Sequence, residues 1–207
     1  MGNKLNLTFS RGHDYVEIGG TKWATKNIGA KTITDTGLYF AWGETIGYND
    51  ADGKIFDWDH NKFGDREHIV KYNDGFEPIT LQPQDDSAHV NWRGSWRMPT
   101  HAEFNDLLLN TIKIWVENYR NSGVNGVLMF DKTNISKTLF FPAAGYAYEG
   151  RFHKLGNENG FYWSSSLNIY VKDSEAYNLY LCESLDLAYC IHNARCIGFP
   201  IRAVLDN

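Results

Sequence analysis

Apolar residues along this chain come in short runs broken by Gly, Asp and Asn, a rhythm of short strands and turns. Residues 14–28 (DYVEIGGTKWATKNI) predict two strands about a Gly19-Gly20 turn, with Tyr15, Ile18 and Trp23 facing inward. From Gly37 to Gln84 the anchors Tyr39, Phe40, Trp42, Tyr48, Phe56, Trp58, Phe63, Tyr72 and Phe76 alternate with turn residues, which predicts a packed but irregular region. A short helix is expected over 85–92, with Asp85-Asp86 at its start, where a carboxylate caps exposed amides. The clearest helix signal follows Pro99: Thr100 and Glu103 have capping-box spacing, and Phe104, Leu107, Leu108, Trp115, Val116 and Tyr119 recur at helical steps. This predicts an amphipathic helix over 100–119, with a break near Thr111.

From Val127 onward the pattern is strand and turn. In AYNLYLC (176–182), Ala176, Leu179 and Leu181 read as core while Asn178, Tyr180 and Cys182 share the other face, a register that calls for a one-residue adjustment between Ala176 and Leu179. The early DYVEIG and the late FPIRAV are expected to pair and close one domain over 1–207. The predicted class is α+β, with twisted antiparallel strands, one main helix and long irregular loops.

Composition narrows the function. Aromatics make up 15% of the 207 residues, charged residues 22%, and the net charge is −5, which argues against a nucleic-acid partner. No 18-residue apolar run and no signal-peptide core is visible, so membrane insertion is not expected; Met1-Gly2 lacks the Ser or Thr at position 6 that myristoylation needs. All three cysteines (Cys182, Cys190, Cys196) lie near the end of the chain and give no disulfide framework.

Chemical motifs are sparse. Cys182, Cys190, His192 and Cys196 lack zinc spacing, and the acidic YNDADGK (48–54) reads as an Asp-Gly turn because Tyr48 cannot open a calcium loop. Ser164–Ser166 lack a nucleophile elbow, GVNG at 123–126 lacks the lysine of a phosphate loop, and Arg97 and Arg202 read as structural hydrogen-bond donors. No metal, cofactor or catalytic residue is predicted.

GTKWATKNIGA (20–30), LYFAWGET (38–45), DDSAHVNWRGSWRMPTHAEFNDLL (85–108), LFFPAAGY (139–146), GFYWSSS (160–166) and GFPIRAV (198–204) resemble, in order, the Fibrobacter succinogenes major paralogous domain. That resemblance covers about Tyr15 to Val204 and implies a C-type-lectin-like fold of the formylglycine-generating-enzyme branch. The segment 161–204 further resembles the variable region of a target protein of a diversity-generating retroelement, as found in gut Bacteroidetes and their phages.

In such systems template adenines are randomised, mostly in AAY codons, which reach many residues but never Lys, Glu, Gln, Met or Trp. The resemblance implies a variable ligand-binding set of Asn168, Ile169, Tyr170, Asn178, Tyr180, Cys182, Ser184, Asp186, Tyr189, Cys190, His192, Asn193, Ala194, Cys196 and Ile197. Lys172, Glu175 and Glu183 fall outside the code and are expected to be fixed, while Trp163, Leu179, Leu181, Arg195, Gly198 and Arg202 match constant positions. Tyr and small polar residues over a stiff β scaffold suit adaptable recognition, and the three thiols are expected on the exposed face.

The implied role is non-catalytic binding of a protein or cell-surface ligand, from a virion or bacterial surface, with a homo-oligomer or virion array as a possible form. Sugar-binding calcium motifs are absent, Glu77-Pro78-Ile79 being the nearest string, and no formylglycine-type cysteine pair can be matched. A static adhesin, and after it a formylglycine-generating-type oxidase, are the alternatives.

Overall fold

The computed structural model describes residues 8–10, 12–73, 78–154, 158–171, 174–184 and 187–206. In chain order the first strands are β1 (Thr8–Ser10), β2 (His13–Ile18), β3 (Thr21–Ala24) and β4 (Trp96–Arg97), with helices α1 (Ser87–Trp92) before β4 and α2 (His101–Asn110) after it. There follow β5 (Thr111–Val116), β6 (Gly126–Asp131), β7 (Thr138–Pro142), β8 (Tyr146–Tyr148) and β9 (Arg151–His153). The last are β10 (Asn159–Leu167), β11 (Glu175–Cys182), β12 (Ala188–Ala194) and β13 (Val204–Leu205).

Among the described residues every strand pair is antiparallel, and with two α-helices there the class is α+β. The sheets run β1-β2-β3-β13-β4, β10-β11-β12, β5-β6-β7 and β8-β9. No helix among the described residues is long and apolar enough to cross a membrane.

The expected hairpin forms at Gly19-Gly20, both at positive φ, where a side chain on Gly19 would also collide with Asn110. The C-terminal strand, however, does not pair with Tyr15–Ile18. Val204 lies opposite Trp23 and Arg97, because the tight hairpin places β3 between β2 and the chain end.

The helix over 100–119 also needs correction. The capping box holds, with Glu103 N–H donating to Thr100 Oγ1 and Thr100 N–H to Glu103 Oε2 at 2.7 Å, and Arg97 grips both Glu103 oxygens at 2.6 and 2.8 Å. The helix stops at Asn110, and Thr111 caps its last turn by donating Oγ1–H to Leu107 O. The β-branched run TIKIWV then continues as β5, so Trp115 and Val116 sit on a strand and Tyr119 stacks on Phe140 at 4.0 Å.

In the aromatic region Tyr39, Phe40, Trp42, Phe56, Phe63 and Tyr72 are buried; Phe76 lies outside the described residues. YNDADGK forms an Asn49-capped turn closed by Gly53. Of the two carboxylates at 85–86, Asp86 caps α1 through His89 N–H, whereas Asp85 is a buried ion-pair hub. Burial pushes Asp85 upward, but Lys62, Lys71 and Tyr72, all donating to it, hold its carboxyl below the usual range.

The sheet β10-β11-β12 sits between two cores. Tyr162, Leu179 and Leu181 pack with Phe104 and Leu107 of α2 and with Val127 and Met129 of β6, while Trp163 and Ala176 pack with Trp42, Phe199 and Ile201. Both faces of β11 are therefore covered along part of its length, so Ala176 and Leu179 are buried on opposite sides with no adjustment in β11.

The irregularity falls on the partner instead. Trp163 lies opposite Asn178 but Leu167 opposite Ala176, so Ser164–Ser166 form a bulge, with Ser164 and Ser165 buried. Ser164 O accepts from the Trp42 indole at 2.9 Å, Ser165 bonds Leu81 and Pro99, and Ser166 Oγ accepts from His101 N–H at 3.0 Å.

Arg202 is fully buried across a sheet junction. It donates to Asn27 Oδ1 (2.8 Å), Ala24 O (3.3 Å) and Phe140 O (3.0 Å), with its guanidinium 4.5 Å over Phe141, and burial lowers its pKa to about 10. We expect Arg202→Met to cost about 3 kcal/mol or more in urea unfolding, because three buried acceptors lose their donors. Arg202→Lys should not restore stability, since a single ammonium cannot reach three directions.

Candidate ligand-binding site

Strand alternation divides the sequence-derived set between two faces. β11 and β12 pair without interruption from Glu175 opposite Ala194 to Leu181 opposite Ala188. Ala176, Asn178, Tyr180 and Cys182 therefore share a face with Tyr189, Ile191 and Asn193, while Tyr177, Leu179 and Leu181 share the reverse with Ala188, Cys190 and His192.

The first face carries a continuous aromatic row. His153 stacks on Tyr146 (4.6 Å), Tyr146 meets Phe161 edge-on (5.6 Å), Phe161 contacts Tyr180 (4.8 Å), and Tyr180 meets Tyr189 edge-on (5.2 Å). These rings are half-buried except Tyr189, which is 41% exposed. Phe161 also stacks on buried Phe199, which contacts buried Trp163, so the row is rooted in the core. Tyr180 donates its hydroxyl to Asn159 Oδ1, and burial together with Cys182 and Tyr189 raises its pKa, keeping the phenol neutral.

Tyr180 and Tyr189 belong to the set expected from the sequence, whereas Tyr146, His153, Phe161 and Asn159 do not. The available signal for Phe161 was its alternation with Tyr162. Tyr146 and His153 arrive from the separate β8–β9 hairpin, which no local pattern connects to β11.

On the reverse face His192 Nδ1 contacts the Glu175 carboxylate, and Tyr177 lies flat against His101 at 4.0 Å with His192 edge-on at 6.2 Å. Burial lowers the His101 pKa. Cys190 packs toward the helix side of the core. Ile169 and Tyr170 stand out on the loop after β10, Tyr170 at 83% exposure, and Ser184 is exposed at the β11–β12 turn. Ala194, Asn193 and Ile197 are half-buried, and Asp186 and Lys172 lie outside the described residues.

Exposure was expected of the whole set, and four members depart from it. Asn168 is buried because its Oδ1 accepts from Tyr170 N–H and its own N–H bonds Glu175 O, knotting the loop. Asn178 is sealed beneath Asn193, which donates to its Oδ1 at 3.0 Å. Cys182 is buried with its thiol 3.0 Å from Ser184 Oγ. Cys196 is drawn inward behind Arg195, whose guanidinium donates to Tyr72 O and Lys71 O at 3.1 Å and lies 4.6 Å over Trp42. The thiols thus do not form an exposed cluster. Among the described residues no group of three metal-ligating side chains comes together.

Burial pushes the Cys190 and Cys196 thiols up to about 12. At pH 8 the reactive thiolate is scarce at both. We expect a disulfide reagent to leave these two unmodified in the folded protein and to titrate all three cysteines in urea; rapid native labelling of Cys196, read by peptide mass, contradicts that placement.

Comparison of the chain with family models, curated proteins and solved structures finds no match.

Proposed function

We propose that this protein is a non-catalytic, C-type-lectin-like binding protein that recognises a protein or cell-surface ligand through the segment 161–204. The observation that carries the reading is the aromatic row from His153 to Tyr189, half-exposed on one side and braced by Phe199 and Trp163 on the other. Rigid aromatic rings give contact area at little entropic cost, and nearby Asn193 and Ser184 supply adaptable polar groups. Tyr146 and His153, which precede the segment 161–204, and Phe161, which is not in the variable set, form a floor, and Tyr180 and Tyr189 are its changeable part.

Diversification by a retroelement fits best at the accessible positions Ile169, Tyr170, Tyr180, Ser184, Tyr189, His192 and Asn193. Burial of Asn168, Asn178, Cys182 and Cys196 favours instead the static adhesin at those four sites, since each is held by packing or a hydrogen bond.

The surrounding DNA discriminates the two. A reverse transcriptase gene beside a second copy of the 161–204 coding segment, differing at adenines, is the expected finding; a locus holding neither overturns diversification. A companion measurement concerns tolerance. Tyr170→Ser and Tyr189→Ser should each change unfolding free energy by less than about 0.5 kcal/mol, the ordinary range for surface substitutions. Larger losses would mark these rings as scaffold.

A further inference from the structure

The end strand of the sheet β10-β11-β12 is β12, and Tyr189, Cys190, His192, Asn193 and Ala194 along it all belong to the ligand-binding set expected from the sequence. The register fixes where its backbone groups point. Just before the strand Leu187 O accepts from Cys182 N–H, and just after it Arg195 N–H donates to Ser174 O. Hydrogen-bonded positions alternate along an antiparallel pair, and the pairing runs without slip between these two ends. Tyr189, Ile191 and Asn193 therefore direct their N–H and C=O groups to β11, while Ala188, Cys190 and His192 turn theirs outward.

Among the described residues nothing bonds that outward set. Ala188 is buried, and buried backbone amides and carbonyls are nearly always paired. Open edges are commonly guarded by a lysine, a proline or a bulge, and β12, with the sequence AYCIHNA, has none of the three.

Resting on the ligand-binding reading above, we propose that an extended segment of a protein ligand adds to β12 as a fourth strand. Its carbonyls accept from the outward N–H groups of Ala188, Cys190 and His192, and its amides donate to their carbonyls. Its alternate side chains then fall on two unlike faces. On one they take the next place in the line Phe161, Tyr180 and Tyr189, which lie directly opposite one another on adjacent strands, and an aromatic or β-branched residue fits there. On the other they lie beside exposed His192 and its contact Glu175, where a polar or cationic residue fits. Backbone bonds are indifferent to side-chain identity, so this edge holds a ligand while residues 189, 192 and 193 change.

The probe is a random library of linear peptides about ten residues long, selected on the full chain. The strongest binder is then made in two forms, each N-methylated at alternate residues. One form should bind at least about tenfold more weakly than the other, since only one set of amides faces β12. On the protein side, His192→Pro removes an outward N–H from an edge position that tolerates proline, and its circular dichroism spectrum should match that of His192→Ala. It should bind at least about tenfold more weakly than His192→Ala, which lacks the side chain but keeps the amide. Equal binding by the two methylated forms and by the two His192 variants, with a loss in Tyr189→Ser, overturns strand addition and leaves the aromatic row as the site. Binding indifferent to both Tyr189 and His192 overturns both readings. A library that yields no binder overturns the extended-segment inference alone, since a folded ligand surface could still engage the row.

Discussion

The guanidinium of Arg195 is the constraint on which the segment 161–204 depends. A buried cation must find acceptors or it will not stay buried, and it finds them in the carbonyls of Lys71 and Tyr72 while lying over Trp42. That requirement reaches outward along the chain. Tyr72 is held at positive φ, an unfavourable conformation for a ring-bearing residue, by its hydroxyl bond to Asp85 and by its carbonyl bond to Arg195. Lys62 and Lys71 close the other side of Asp85. The described irregular loops, 37–73, are therefore firmly attached and form the wall against which the end of β12 is fixed.

Trp42 links the same wall to the middle of β10. Its indole donates to Ser164, within the bulge, and its backbone amide donates to Arg195 O. The bulge in turn binds the start of α2 and the loop before α1 through Ser165 and Ser166. A serine run with no catalytic partner thus acts as a joint where extra backbone meets small hydroxyls that satisfy it. The three-stranded sheet is clamped at its bulge and at its last strand, which leaves the turn-side portions of β11 and β12 free to carry Tyr180, Ser184 and Tyr189.

This arrangement separates support from display along single strands. In β11, Leu179 and Leu181 serve the helix-side core while Tyr180 between them joins the aromatic row. The same alternation limits the display, because Asn178, two positions earlier on that face, passes beneath Asn193 and is lost to solvent. The sheet β5-β6-β7 follows a different rule, being apolar on both faces.

Much of the local structure was legible in the sequence because it rests on contacts a few residues apart. The Thr100–Glu103 capping box, the Gly19-Gly20 turn and the in–out alternation of Tyr180 against Leu179 and Leu181 are each decided by backbone geometry and near neighbours. Periodicity alone overran at Thr111, where helical spacing continued but β-branched residues favoured a strand. Only the tertiary structure decided which strand received the C-terminus, that both sides of β11 would be covered, and that Cys182, Cys196, Asn168 and Asn178 would be buried. The aromatic row belongs to that second group: it unites Tyr146 and His153 with Tyr189 through rings brought together from distant strands, and no spacing along the chain encodes a contact of that range.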